Sequence, residues 1–285
     1  TQEMNLTIEG IGEDAAFNGF GILARTTCSV ELRNIAVLND ADDNISLDTD
    51  NSYTWVHNVD LFYGNAGSDS DQAKGDGSLD VKGNSQYQTY SYNHFWDSGK
   101  SSLCGMTSES GPNYITYHHN WFDHSDSRHP RVRTMTVHVY NNYYDGIAKY
   151  GIGATTGSNV FVEANYFRNT NRPMMSSKQG TDATGDGTFT GEDGGMIKSF
   201  GNLFASCGKN FSYITANEVA GSAATAVSAT SFDAYEASTR NEEVPSSFVT
   251  RAGGTSYSNF DTNADVMHQY TADRAVDVPA KVKSL

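Results

Sequence analysis

Seven times along this chain a β-rich approach runs into an asparagine: LRNIAVLND, VHNVDLFYG, YNHFWDSG, HHNWFDHS, YNNYYDGI, EANYFRNT and FGNLFASC. The asparagines are Asn34, Asn58, Asn93, Asn120, Asn142, Asn165 and Asn202, at spacings of 24, 35, 27, 22, 23 and 37 residues. In most of them an aromatic follows two residues later. A minimum near 22, with insertions, suits one coil of a parallel β-solenoid, which needs three short strands and three turns and carries its extra length as loops. Asparagine suits a tight corner because it tolerates left-handed backbone. Stacked at the ~4.8 Å strand spacing, its amides can also bond to one another, with the aromatics stacking inside. Hairpins would instead want Asn-Gly or Asp-Gly between alternating strands, and these positions largely lack them. The pattern predicts an all-β, single-domain parallel β-helix over 1–285.

The 27 glycines, 16 tyrosines and 14 phenylalanines favour strands and turns over helices. Residues 215–245, rich in Ala, Ser, Thr and Glu, read as a surface excursion, bounded at about 211–265. The tail QYTADRAVDVPAKVKSL reads as a short helix or extended segment, 266–285, packing back on the coils. Three cysteines, Cys28, Cys104 and Cys207, have no CxxC spacing, so one disulfide and three buried thiols both stay open.

Only 19 Lys and Arg face 34 Asp and Glu, a formal charge of −15. That balance argues against nucleic acid or an anionic membrane as partner, since phosphate neutralisation needs broad positive surface. No apolar stretch approaches the ~20 residues that span a bilayer. The expected state is a monomer.

Against this acidic background DHSDSRHPRVR, residues 123–133, gathers three arginines and two histidines. It is either a solvated loop paired to local aspartates or a cradle for an anionic ligand. Upstream, NDADDNISLDTD supplies Asp40, Asp42, Asp43, Asp48 and Asp50, and SDSDQAKGDGSLDVKG supplies Asp69, Asp71, Asp76 and Asp80. On neighbouring coils, Asp43, Asp76 and Asp80 would converge on one face. Carboxylates gathered so closely repel unless a cation offsets them, and hard oxygen ligands suit Ca²⁺, which takes ~6–8 of them. The spacing is not that of an EF-hand loop. His118 and His119, adjacent in a strand, are expected to face opposite sides and not to share a metal. His94, His124 and His129 fall near the cleft in sequence without a zinc ligand set.

GDGSLDVKG, YNHFWDSGKSSLCG, YITYHHNWFDHSDSRHPRVR and VHVYNNYYDG, in this order, resemble the pectate lyases of polysaccharide lyase family 1. The similarity runs from TIEGIG near the start to VPAKVKSL at the end. It implies a secreted, right-handed parallel β-helix that cleaves polygalacturonate by β-elimination with Ca²⁺. On matching positions it implies Asp43, Asp76 and Asp80 as calcium ligands and Arg128 as the catalytic arginine. Lys100, Arg133 and Lys82 are implied as substrate-binding residues, while Arg131 is expected to pair with local acid. Where the family has W-[IV]-D-H this chain has WVHN, so His57 and Asn58 stand in place of Asp and His.

A guanidinium ordinarily stays protonated, so Arg128 as a base requires neighbouring positive charge to disfavour its charged form. An alkaline optimum is expected. Three other readings compete. A polygalacturonase-type hydrolase needs paired acid and base carboxylates, and no further Asp-Asp and Gly-His-Gly set follows the D-G-x-x-D pair. Pectin lyase, acting on methylated polymer without calcium, and a non-catalytic glycan-binding β-helix both sit poorly with the aspartates, Lys100 and Arg128 together.

Overall fold

A computed structural model describes residues 2–62, 76–178, 190–207, 212–215, 219–221, 232–250 and 255–284. The chain winds as a right-handed parallel β-helix of about seven turns. One face is a parallel sheet of seven described strands in chain order: Ile22–Arg25, Ile45–Asp48, Leu79–Val81, Leu103–Cys104, Arg131–Val132, Ile152–Ala154 and Met174–Ser176. The remaining strands form a second sheet that wraps the other sides. In the early coils Thr27–Leu38 and Ser52–Phe62 run through the corner unbroken. In later coils the same path divides in two, for example into Ile115–His118 and Trp121–Asp123, then Thr136–Tyr140 and Tyr143–Asp145.

Period-two alternation explains why these segments are strands. In Ser52–Phe62, Thr54, Val56, Val59 and Leu61 are buried while Tyr53, Trp55 and Asp60 are exposed, the phase changing at the Asn58 corner. Successive coils stack like on like. Phe95, Phe122, Tyr144, Phe167 and Phe204 form one internal column, with ring centroids 4.7, 5.0, 4.4 and 5.3 Å apart. These are the aromatics two residues after Asn93, Asn120, Asn142, Asn165 and Asn202.

Those five asparagines form the ladder. Asn120 Nδ2 donates to Asn142 Oδ1 at 2.9 Å, and the Asn120 backbone N–H donates to the same oxygen at 3.0 Å. Asn93 bonds Asn120 in the same way, Asn142 bonds Asn165, and Asn165 bonds Asn202. Asn34 and Asn58 are not rungs. They stand one residue earlier, in left-handed backbone at φ 54° and 50°, and the ladder position in their coils is taken by buried Ile35 and Val59. The Val59 N–H accordingly donates to Asn93 Oδ1 at 3.1 Å, which ends the amide stack.

Part of the stretch expected as a surface excursion packs against the coils. Residues 211, 216–218, 222–231 and 251–254 of it lie outside the described residues. The described part supplies strand Ala234–Glu236, which pairs in parallel with Met196–Phe200. Phe232, Tyr235, Val244, Tyr257 and Phe260 pack with Phe161 and Met196 as a second apolar cluster. The Ala/Ser/Thr-rich composition hid these well-spaced aromatics, which bury enough surface to hold the stretch down. Further on, helix Val278–Lys283 seats Val278 and Val282 beside Tyr143, and Lys283 lies 4.6 Å over the Trp121 ring. No helix among the described residues is long and apolar enough to cross a membrane.

The cysteines are all free thiols. The histidine expectation also changes. His119 is in left-handed backbone at φ 54°, so the strand ends there and both imidazoles reach the same side, with Nδ1 of His118 and Nδ1 of His119 2.8 Å apart.

Candidate active site

Register assembles the site. Gly77, Lys100 and Ser127 lie side by side on three consecutive coils of the seven-stranded face. Their chain neighbours Asp76 and Arg128 therefore meet Lys100 across gaps of more than twenty residues in sequence. A cavity of about 550 Å³ opens here, and Asp43, Asp76, Asp80, Lys82, Lys100 and Arg128 all line it.

The acidic side has two depths. Asp42, Asp43 and Asp76 each offer an oxygen, all within 4.8 Å of one another. Calcium–oxygen distances of about 2.3–2.6 Å put two ligands of one ion at most about 5.2 Å apart, so this all-oxygen set fits a single Ca²⁺. Asp80 lies deeper and is fully buried. Its Oδ1 accepts from the Leu103 N–H at 2.8 Å, and a side chain at Gly77 would overlap it, since a Cβ there would fall 2.3 Å from that oxygen. Burial, and then the neighbouring Asp43 charge, pushes the Asp80 carboxyl up to about 7.

Lysines hold the acid cluster. Lys82 Nζ sits 2.7 Å from Asp43 Oδ2 and 3.6 Å from Asp80 Oδ2. Burial works against its charge, but Asp80 and Asp43 together hold the ammonium above its usual pKa. Lys100 Nζ is 2.7 Å from Asp76 Oδ1. Burial also works against the Asp76 charge, yet the Lys100 bond prevails and keeps that carboxyl below the usual range.

Arg128 is in left-handed backbone at φ 63°, between Ser127, whose carbonyl accepts from the Ser101 N–H, and a cis His129–Pro130 bond. Of the two arginines beyond it, Arg131 lines the cavity and Arg133 is not among its lining residues. Glu192 holds both: Arg133 Nε is 3.0 Å from Glu192 Oε1 and Arg131 is 3.6 Å from Oε2. Burial pulls the Arg131 guanidinium below its ordinary value. Beneath them His129 is buried, with Nε2 2.6 Å from Ser125 Oγ and Nδ1 2.9 Å from the Tyr150 carbonyl oxygen. Burial takes it down to about 4, so it is a neutral prop under the arginine turn.

Asp42, Arg25, Asp40 and Asp48 also line the cavity, though sequence reasoning gave them no place in the site, while Arg131, expected to pair with local acid, pairs with Glu192. Asp42 stood in the same DADD run as Asp43, and Arg131 in the same basic strip. His57 and Asn58 lie on the other sheet, where His57 Nε2 bonds Glu31 at 2.9 Å and its ring stacks on Trp55.

Fold and groove together define a parallel β-helix protein with a cleft of interleaved carboxylates and cationic side chains. A family model described as pectate lyase matches residues 1–259, and the chain belongs to the pectate lyase family. A pectate trisaccharide-lyase of Bacillus licheniformis is 32% identical over 176 residues, which is 60% of this chain and 51% of that protein. Pectate lyase A of Emericella nidulans is 33% identical over 184 residues, 62% of this chain and 55% of that one. The chain thus spans about half the length of the curated relatives it matches. Among solved structures, a Bacillus sp. N165 pectate lyase in complex with trigalacturonate superposes with a TM-score of 0.66 at 23% identity, over 99% of this chain and 75% of that one. Pectate lyase C of Erwinia chrysanthemi, at pH 9.5 with 30 mM Ca²⁺, gives 0.65 at 23% identity, over 97% and 69%.

Proposed function

We propose that this chain is a secreted, monomeric, calcium-dependent pectate lyase that cleaves α-1,4-polygalacturonate by β-elimination. The observation that carries the reading is a cavity in which a three-carboxylate cluster meets Lys82, Lys100 and Arg128. An acidic chain can hold a polyanion only where cations are concentrated, and here they are.

Asp43 and Asp76, with Asp42 beside them and Asp80 behind, are the residues that would hold Ca²⁺. Bound there, the ion supplies charge neutralisation for a uronate carboxylate, which eases loss of the adjacent C5 proton. Lys100 and Lys82 bind uronate oxygens and fix the ring over the groove. Arg131 adds a further cation at the cleft, and Arg133, carried over from the family resemblance, serves as a carboxylate clamp beside it. Arg128 takes the C5 proton. The C5–H electrons become the C4–C5 double bond, the C4–O4 bond breaks, and O4 leaves with a proton from water. The products are a new non-reducing end bearing a 4,5-unsaturated uronate and a shortened chain.

The test is the absorbance of the unsaturated uronate on polygalacturonate, with and without chelator. Absorbance should rise with calcium, stop with chelator and return when calcium is restored. Full activity in chelator, or reducing ends produced without absorbance, would overturn the reading.

A further inference from the structure

We propose that a second groove, on the other sheet, binds an uncharged polysaccharide chain. Its volume is about 390 Å³, within the range of small-ligand sites. Tyr87, Thr89, Tyr114, Thr116, His118 and Tyr140 line it from three successive coils, and Val266 and His268 close it from the tail. Among the described lining residues there is no Asp, Glu, Lys or Arg, whereas the site on the seven-stranded face is lined largely by charged groups.

Three observations give the occupant its chemistry. The first is a file of tyrosines at coil spacing. Tyr53 and Tyr87 have centroids 5.3 Å apart at 11°, and Tyr87 and Tyr114 are 6.0 Å apart at 21°. Tyr53 and Tyr87 are 61% and 45% exposed, where a solvated strand edge would ordinarily carry polar residues. All three are in left-handed backbone, at φ 54°, 52° and 56°, a conformation uncommon for aromatic side chains. The second is a file of hydroxyls beside the rings, since Thr89 and Thr116 are directly paired between coils. The third is an unused polar atom. Thr116, Tyr114, Val266 and His268 also border a smaller cavity lined by His138, which is 2% exposed and whose Nδ1 has no hydrogen-bond partner.

A sugar ring presents a C–H face and a rim of hydroxyls. It matches aromatic carbon set beside hydroxyl and imidazole groups, repeated once per coil along a chain. A polyuronate would meet no cation here and would be repelled by a chain of net charge −15.

The test is direct binding, so it stands apart from the lyase assignment. The parent protein is run in affinity gels containing β-1,4-galactan, cellohexaose or fully methyl-esterified homogalacturonan, with polygalacturonate as the charged comparison. At least one neutral glycan should retard it. Tyr87→Asn with Tyr114→Asn removes both rings while keeping a residue that accepts left-handed backbone. Affinity should fall about ten-fold, the size expected for two lost ring contacts, and Tyr114→Phe should keep it. Should the double variant lose its cooperative melt, Thr116→Arg, which fills the groove from a half-buried position, should abolish retardation instead. Arg128→Lys, which probes the lyase reading, should bind the neutral glycan like the parent. No retardation by any neutral glycan, or equal retardation of the groove variants, would overturn the proposal.

Discussion

Two files of polar side chains run along the same coils, one inside the corner of the helix and one across its seven-stranded face. The inner file, Asn93 to Asn202, satisfies itself: each amide from Asn93 to Asn165 donates to the asparagine of the next coil, Asn202 donates to the Val162 carbonyl and Ser199 Oγ, and Asn120, Asn142 and Asn165 have no exposed surface. Such a stack can be dry because an amide is donor and acceptor at once. The outer file holds Asp43, Asp76 and Asp80, and carboxylates only accept. Repetition there multiplies repulsion, so other coils must supply Lys82 and Lys100 to offset it. Where a repeat closes on itself it makes scaffold; where it cannot, it is open to a metal ion and a charged ligand.

That contrast can be broken most sharply at Arg128. Arg128→Lys keeps the charge but loses the planar fork, so turnover on polygalacturonate should fall by about 10²–10⁴, the range for a lost proton-transfer group. KM should change far less. If kcat survived while Lys100→Ala abolished it, the base would be Lys100. Next come the acids: Asp43→Ala and Asp76→Ala should each raise the calcium needed for half-maximal activity by about ten-fold or more. The thermal midpoint in chelator should fall modestly with each, because Asp43 and Asp76 pair with Lys82 and Lys100 in the folded chain.

The inner file should respond chiefly in stability. Asn142→Ala should destabilise by about 1–3 kcal/mol in denaturant melts, since it strands buried donors and acceptors. Asn58→Ala, exposed and off the ladder, should cost about 1 kcal/mol, the strain of alanine in left-handed backbone alone. Equal effects at both positions would mean that the stack adds nothing beyond a corner preference.

A pH series isolates the inner file from the rest of the buried polar groups. Amides do not titrate, so the Asn142→Ala penalty should be flat from pH 5 to 8. The parent itself should not be flat. Burial takes His118 to about 3 and His129 and His138 to about 4, below the ordinary 6.5. The unfolded chain then binds more protons between about pH 6.5 and 4, so stability is full above that window and lost as pH falls through it. By pH 5 the loss should be on the order of 2 kcal/mol per histidine, and His138→Phe should shallow the slope.

Reading the sequence distinguishes rungs from impostors only by a detail. The aromatic two residues on marks Asn93, Asn120, Asn142, Asn165 and Asn202 as rungs, while Asn58 is followed at that distance by Asp60. The site was legible as a set of acids and bases but not as an arrangement. Nothing in the DADD run says that exposed Asp42 joins the more buried Asp43 in one cluster while Asp80 is enclosed by the backbone of Leu103.

By itself, the sequence determined that this chain coils, because a repeat near 22 residues with an inward aromatic has few other ways to bury its apolar face. It also determined that positive charge would be local. Only the tertiary structure decided which charges meet, because parallel pairing sets Gly77 beside Lys100 and Lys100 beside Ser127. Loop lengths between coils leave that pairing unstated. A register shift of one residue would turn these side chains to the other face of the sheet, and no local pattern in the chain records which register holds.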